Sequence, residues 1–250
     1  MRKHVYLSLI VCFVCAFMSK KSLAQVARSD SSSQQNALNN TLTLFYSSIG
    51  DQSPLYSGPE YYYYDPIIKG NAYFEDVNAF SPGSVFYDGL LFNGVPMLYD
   101  LYTDKVVVLL YNHFSKFSLI QERVKSFDFL NHHFININAD TLNVNAVIKS
   151  GFYDEVYNGK SQVLVKRSKN IQTTTGGQAG PESYFNPAID YYLRKNNTYY
   201  SFSSQGSMLS ILKDKKKELQ QYIRANQIKF RKGPEEAMVK IASYYDHLTN

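Results

Sequence analysis

The stretch SVFYDGLLFNGVPMLYD, residues 84 to 100, holds two dipeptides, Asp88-Gly89 and Asn93-Gly94, that suit the tight turn between antiparallel strands. That turn needs positive φ at both central positions, which Asn, Asp and Gly adopt at the least steric cost. Only Leu90, Leu91 and Phe92 separate the two, fewer residues than an ordinary strand contains. Asn93-Gly94 lies between LLF and VPMLYD and is expected to be the hairpin turn, with Gly94 at positive φ. Asp88-Gly89 is read as a second tight turn or as a glycine bulge bending a continuous strand. Pro96 cannot donate to a ladder, which puts its position at an edge or a bulge. A chain with such a corner is restricted to short antiparallel strands joined by local turns.

The pattern continues downstream. VVVLLY (106–111), FSLI (117–120), VKSFDFL (124–130) and FININ (134–138) follow in quick succession. GFYDEVYNGKSQVLVKRS reads as strand, Asn158-Gly159 turn, strand, and YFNPAIDYYLRKNNTYYSF repeats that form with Asn196-Asn197 at its tip. Strands this close together imply a meander, a sandwich or a partly open barrel. The 22 Tyr and 16 Phe, with no Trp, favour the same conclusion, because aromatic residues fit a pleated, half-buried surface. Residues 168–183, SKNIQTTTGGQAGPES, lack apolar periodicity and are expected to form a mobile surface loop.

The ends of the chain differ. Arg2, Lys3 and His4 precede an apolar run from Val5 to Met18, too short for a bilayer crossing of about 20 residues. Ser22-Leu23-Ala24 then offers small residues for cleavage before Gln25, so residues 1–24 read as a signal peptide and the protein as exported. Removing them takes both cysteines, Cys12 and Cys15. It also takes four basic residues and no acid, leaving 22 basic against 21 acidic. Disulfides are then excluded, and a net charge of +1 gives no electrostatic argument for nucleic acid or an anionic membrane. No later stretch is long and apolar enough to be a transmembrane helix.

Residues 25–36 are a polar, serine-rich lead-in expected to be disordered. Leu38, Leu42, Phe45 and Ile49 share one helical face, so a short helix is expected over about 33–49. At the other end, 207–249 read as a helical pair. Ser207 is available as N-cap, a break falls near Asp214, and Gly233-Pro234-Glu235-Glu236 opens the second helix. The expected fold class is therefore α+β: residues 25–250 form one mostly antiparallel β-domain with helices at its ends.

Recognisable catalytic motifs are missing. There is no G-x-S-x-G, no H-E-x-x-H and no cysteine beyond the signal, so no nucleophile elbow, zincin site or thiol nucleophile is predicted. GKS at 159–161 has Asp154 where a P-loop needs its first glycine, and it sits in a hairpin. His132 and His133 are adjacent in a strand and point to opposite faces. His113 and His247 read as surface or turn residues. Asp65, Asp76, Asp88, Asp100, Asp104, Asp154 and Glu155 cluster at turns, where backbone chemistry favours them. A glycosidase needs only two carboxylates at a suitable separation. Asp100 and Asp104 lack the ligand density of a calcium loop.

Neither a metal nor a cofactor is expected. Tyr61, Tyr62, Tyr63 and Tyr64 are the candidate ligand-binding residues, with 61 and 63 on one side of a strand and 62 and 64 on the other. The lysine-rich KDKKKELQQYIRANQIKFRK reads as a solvated helix face, or as a surface for an acidic partner or lipid headgroups.

The combination of LYSGPEYYYYDP, GSVFYDGLLFNGVPMLYDL, GFYDEVYNGKSQVLVKR and a final lysine-rich helical pair resembles uncharacterised exported proteins of Gram-negative bacteria. The resemblance implies export and one β-rich domain and carries no activity with it. The expectation is an exported, non-catalytic binding protein or structural component of the envelope. Its expected partner is an envelope protein or an apolar ligand. The alternatives are a periplasmic carrier of an apolar ligand and a carboxylate-dependent hydrolase.

Overall fold

A computed structural model describes residues 53–110, 112–139, 147–175 and 180–249, with single positions between 37 and 50. The fold lies in the unit Asn39–Asn250. The signal segment 1–24 and the lead-in 25–36 fall outside the described residues. So does most of the helix expected over 33–49.

Among the described residues ten strands form one antiparallel sheet. They are β1 (Ser81–Tyr87), β2 (Leu90–Asp100), β3 (Lys105–Leu109), β4 (Lys116–Ser118), β5 (Val124–Phe129), β6 (His132–Ile137), β7 (Gly151–Asn158), β8 (Gln162–Thr174), β9 (Glu182–Lys195) and β10 (Thr198–Phe202). Their order is β10-β9-β8-β7-β6-β5-β1-β2-β3-β4, so two meanders meet where β1 pairs with β5.

The corner at 84–100 keeps the tight turn at Asp88-Gly89 and corrects the reading at Asn93-Gly94. Asp88-Gly89, with φ of 51° and 81°, is the two-residue turn, and Tyr87 faces Leu90 across it. Asn93-Gly94 is instead the bulge: the register steps from Gly83↔Val95 to Val85↔Phe92, so two residues oppose Ser84 alone. The core explains the choice. Phe92 and Val95 would point to opposite faces of a regular strand, being three apart. With the bulge between them, both join the same buried cluster as Met97 and Tyr99. Arg123 fixes the true turn, its Nε 3.1 Å from the Asp88 carboxylate and its carbonyl accepting from Asp88 N at 3.0 Å.

The loop expected at 168–183 is mostly ladder. β8 and β9 stay paired out to Thr174↔Glu182. The apolar alternation fades there because the outer part of this hairpin is largely solvent-exposed, not because pairing ends. The tip meets the segment before β1, where Lys69 N donates to Ser183 O (2.9 Å) and Phe185 N to Lys69 O (3.0 Å).

The sheet is strongly curled. β2 and β8 are five inter-strand steps apart, which in a flat sheet is about 24 Å. Yet Lys169 N of β8 donates to Leu101 O at the end of β2 at 3.1 Å. The enclosed face is packed with rings. Phe127 and Phe134 stack at 4.7 Å, and Tyr99 and Phe74 meet Phe134 edge-on at 5.0 and 5.2 Å.

Three helices, not two, follow the sheet: α1 (Gln205–Ile211), α2 (Lys216–Ala225) and α3 (Pro234–Leu248), with a 3-10 turn at Lys213–Lys215 where a break was expected. Ser204, rather than Ser207, caps α1, and Ser207 completes a reciprocal capping box. Met208, Leu219, Met238 and Ile241 bury against Val163, Val165 and Leu193. The buried Asp246 of α3 accepts from Ser161 N and from Tyr157 OH (3.0 Å), fastening that helix to the β7–β8 turn.

Gly94 has φ +66° and no neighbour within 4 Å of a Cβ placed there, so only backbone strain opposes a side chain. Gly94→Val is expected to cost on the order of 1–3 kcal/mol. Gly206→Ala, inside α1, is expected to gain about 0.5–1 kcal/mol. Denaturant midpoints of the two variants should therefore move in opposite directions.

Candidate ligand-binding site

Tyr61 to Tyr64 belong to an irregular segment that covers the edge of β4. Ser118 N donates to Pro59 O (2.9 Å), and Tyr61 N donates to Lys116 O (2.8 Å). Only Glu60 forms a bridge, so the expected strand alternation gives way to a different division. Tyr61 and Tyr64 turn inward, while Tyr62 and Tyr63 are exposed.

The inward pair converges on Asp100, whose exposure is 0%. Asp100 Oδ2 accepts from Tyr61 OH (3.0 Å) and Tyr64 OH (2.6 Å). Its Oδ1 accepts from the backbone N–H of Tyr102 (2.8 Å) and Thr103 (3.1 Å). A buried carboxylate is tolerated only when satisfied in this way. Burial pushes both phenols well above their ordinary value, with a bond to Tyr73 adding at Tyr61 and one to Asp100 adding at Tyr64. They act as neutral donors, not bases.

Around this anchor an aromatic surface is assembled from distant parts of the chain. The Tyr64 ring meets Phe185 edge-on at 5.2 Å and Tyr102 at 5.5 Å. Lys116 Nζ sits 4.7 Å over the Tyr63 ring, and Tyr62 OH donates to Glu60 at 2.7 Å. Beside them lies an open cleft of about 370 Å³ lined by Tyr63, Tyr64, Asp65, Asn71, Asn78 and Phe185, among others. Asp65 Oδ1 is held by the N–H of Ile67 (2.9 Å), and Asn71 by Tyr73 N and the carbonyl of Asp76. The cleft thus offers ring faces and edges beside a carboxylate and amides, a lining that stacks flat groups and bonds hydroxyls. Asn78, Tyr102 and Phe185 carry no local sequence signal, and Phe185, on β9, is brought to the tyrosines by the curl of the sheet.

A second polar cluster joins the sheet to α3. His132 Nδ1 lies 2.7 Å from Asp154 Oδ2, and Arg167 reaches both Asp154 (2.8 Å) and Glu235 (2.6 Å). Arg167 Nη1 touches Asp154 off-axis, without the alignment of a hydrogen bond. The Phe74 ring packs edge-on against His132 at 5.0 Å, with the Arg167 guanidinium 5.5 Å from its centroid. Among the described residues Asp154 is the one hydrogen-bond partner of the His132 side chain. His133 points to the other face, onto Asp128.

The remaining turn carboxylates also have partners. Asp76 pairs with Lys169 (2.6 Å), Asp104 with Lys166 (2.6 Å), and Glu155 with Gln162. No group of three or more potential metal-ligating His, Cys, Asp or Glu occurs among the described residues. No described helix is long and apolar enough to cross a membrane. Comparisons with family models, curated proteins and solved structures found no match.

Two outcomes follow from these contacts. Tyr64→Phe removes a charge-assisted bond to a buried carboxylate and should cost about 1.5–3 kcal/mol, whereas Tyr62→Phe on the open surface should stay within about 0.5 kcal/mol. Paired chemical melts read the difference. The bond to Asp154 raises the His132 pKa above its ordinary value. Its stabilising contribution is therefore full below about pH 6.5, the unfolded value, and is lost as pH rises through the higher folded value. The stability gap between wild type and His132→Asn should narrow across that rise; a constant gap would show that His132 does not titrate against Asp154.

Proposed function

We propose that this is an exported, non-catalytic binding protein whose ligand seats in the cleft beside Tyr63, Tyr64 and Phe185. The observation that carries the reading is the way the rings are held. Tyr64 is bonded to a fully buried carboxylate and wedged between Tyr102 and Phe185, so the surface is rigid before a ligand arrives. Preorganised aromatic surfaces lose little conformational entropy on binding. The chemistry fits a neutral ligand with a flat or CH-rich face and hydroxyl groups within reach of Asp65 and Asn78. Export is supported by the basic start, apolar run and small-residue cleavage site within residues 1–24.

The alternatives fit less well. An apolar ligand inside the curled sheet would compete with Phe74, Tyr99, Phe127, Phe134 and Phe152, whose rings already pack against one another there. Carboxylate-dependent hydrolysis is less favoured because Asp76, Asp100, Asp104 and Asp154 are each already engaged by a protein donor. Saturation-transfer NMR against a panel of neutral oligosaccharides tests the reading. Binding should fall at least tenfold in Phe185→Ala and in Tyr63→Ala and persist in Tyr200→Ala, an exposed tyrosine on β10. Binding that ignores Phe185 and Tyr63, or turnover of any panel member, would contradict it.

A further inference from the structure

The charge of the chain is concentrated in one place. Residues 213–232 hold eight Lys and Arg against two acids, whereas the rest of 25–250 holds fourteen against nineteen. A segment of +6 therefore sits on a remainder of −5. α2 buries Leu219 and Ile223, and its exposed positions include Lys216, Lys217 and Arg224. With a rise of 1.5 Å per residue, the two ends of that helix are about 15 Å apart.

Beyond it, Lys229, Arg231 and Lys232 are exposed and line an open groove of about 670 Å³ with Ile228, Phe230 and the start of α1. None of these six cations has an ion-pair partner among the described residues. Acids are used elsewhere in the region, Asp214 by Lys195 and Glu236 by Lys240.

Self-repulsion makes such a cluster unfavourable unless an anionic surface neutralises it. We propose that the outer face of α2 and the 226–232 segment dock on the phosphate headgroups of an anionic bilayer. Two features favour lipid over an acidic protein. The cations stand on flexible stems without fixed partners, which suits a fluid array of phosphates that needs no single geometry. Ile228 and Phe230 lie among them, packed in part against the helical core and in part lining the open groove, so they leave some apolar surface beside the cations for a bilayer interface to cover. This surface is distinct from the aromatic cleft, and the proposal does not depend on what that cleft binds.

Vesicle flotation of the full chain tests it, so that any contribution of residues 5–18 is common to every variant. The probes are vesicles of phosphatidylglycerol and phosphatidylcholine in equal parts, and of phosphatidylcholine alone. Wild type should favour the anionic vesicles at least tenfold at 50 mM salt and lose most of that preference at 500 mM. Replacing Lys217, Arg224, Lys229, Arg231 and Lys232 with Gln should abolish the preference without lowering the melting midpoint. Lys105→Gln with Lys125→Gln, exposed lysines on the sheet, should leave it within twofold. Retention of the preference in the five-site variant overturns the proposal. So does wild type binding polyglutamate more tightly than the anionic vesicles.

Discussion

The carboxylate of Asp104 holds the two halves of the sheet together. Asp104 sits in the turn after β2 at φ 55°, and its oxygens accept from four donors. Tyr99 OH reaches Oδ1 at 2.6 Å. Lys166 Nζ (2.6 Å), Phe152 N (3.1 Å) and Gln121 Nε2 (3.2 Å) reach Oδ2. Tyr99 belongs to the first meander and Phe152 and Lys166 to the second, so one side chain joins strands that the ladder itself keeps five steps apart. Burial pulls the Lys166 ammonium below its ordinary value against the opposing pull of Asp104. Gly151 allows the approach: a Cβ there would collide with both the Asp104 carboxylate and the Lys166 ammonium.

Everything proposed about the cleft depends on that curl. Lys169, three residues beyond Lys166, carries the closure outward. Its ammonium donates to the carbonyls of Asn71 (3.0 Å) and Tyr73 (2.8 Å) and to the carboxylate of Asp76 (2.6 Å). The 69–76 segment is thereby pinned against β8, which seats Phe74 in the ring cluster and brings Phe185 of β9 to Tyr64. The Asp154–Arg167–Glu235 contacts do the same for α3 on the inner side. A flat sheet with the same strands would have the same tyrosines and no cleft.

Much of this was legible in the chain. The β7–β8 hairpin, the Asn196-Asn197 turn and the Pro234 helix start are local signals, and the structure has them. The hairpin loop is Gly159–Ser161 with Asn158 still paired in β7, and β8 and β9 run to 13 and 14 residues rather than being short. The errors lie where long-range pairing decides. Asp88-Gly89 and Asn93-Gly94 are equivalent as isolated dipeptides, and only the burial of Phe92 with Val95 assigns one to the turn and the other to the bulge. The 168–174 segment reads as loop because an exposed ladder needs no apolar face. The four tyrosines divide as they do because Asp100, 36 residues beyond Tyr64, waits beneath two of them. Asp100 and Asp104 are themselves unremarkable turn acids in the sequence, and their roles appear only once distant donors converge on them.

A double-mutant cycle on Asp104→Asn and Lys166→Met tests the curl most directly. In a closed sheet the two side chains share a partly buried ion pair, and their coupling should be about 1–3 kcal/mol. Residues further apart than about 10 Å add independently to within about 0.5 kcal/mol. A coupling in the first range is the result this account predicts. Additive losses would place β2 and β8 apart, leaving the sheet open and the aromatic cleft unformed.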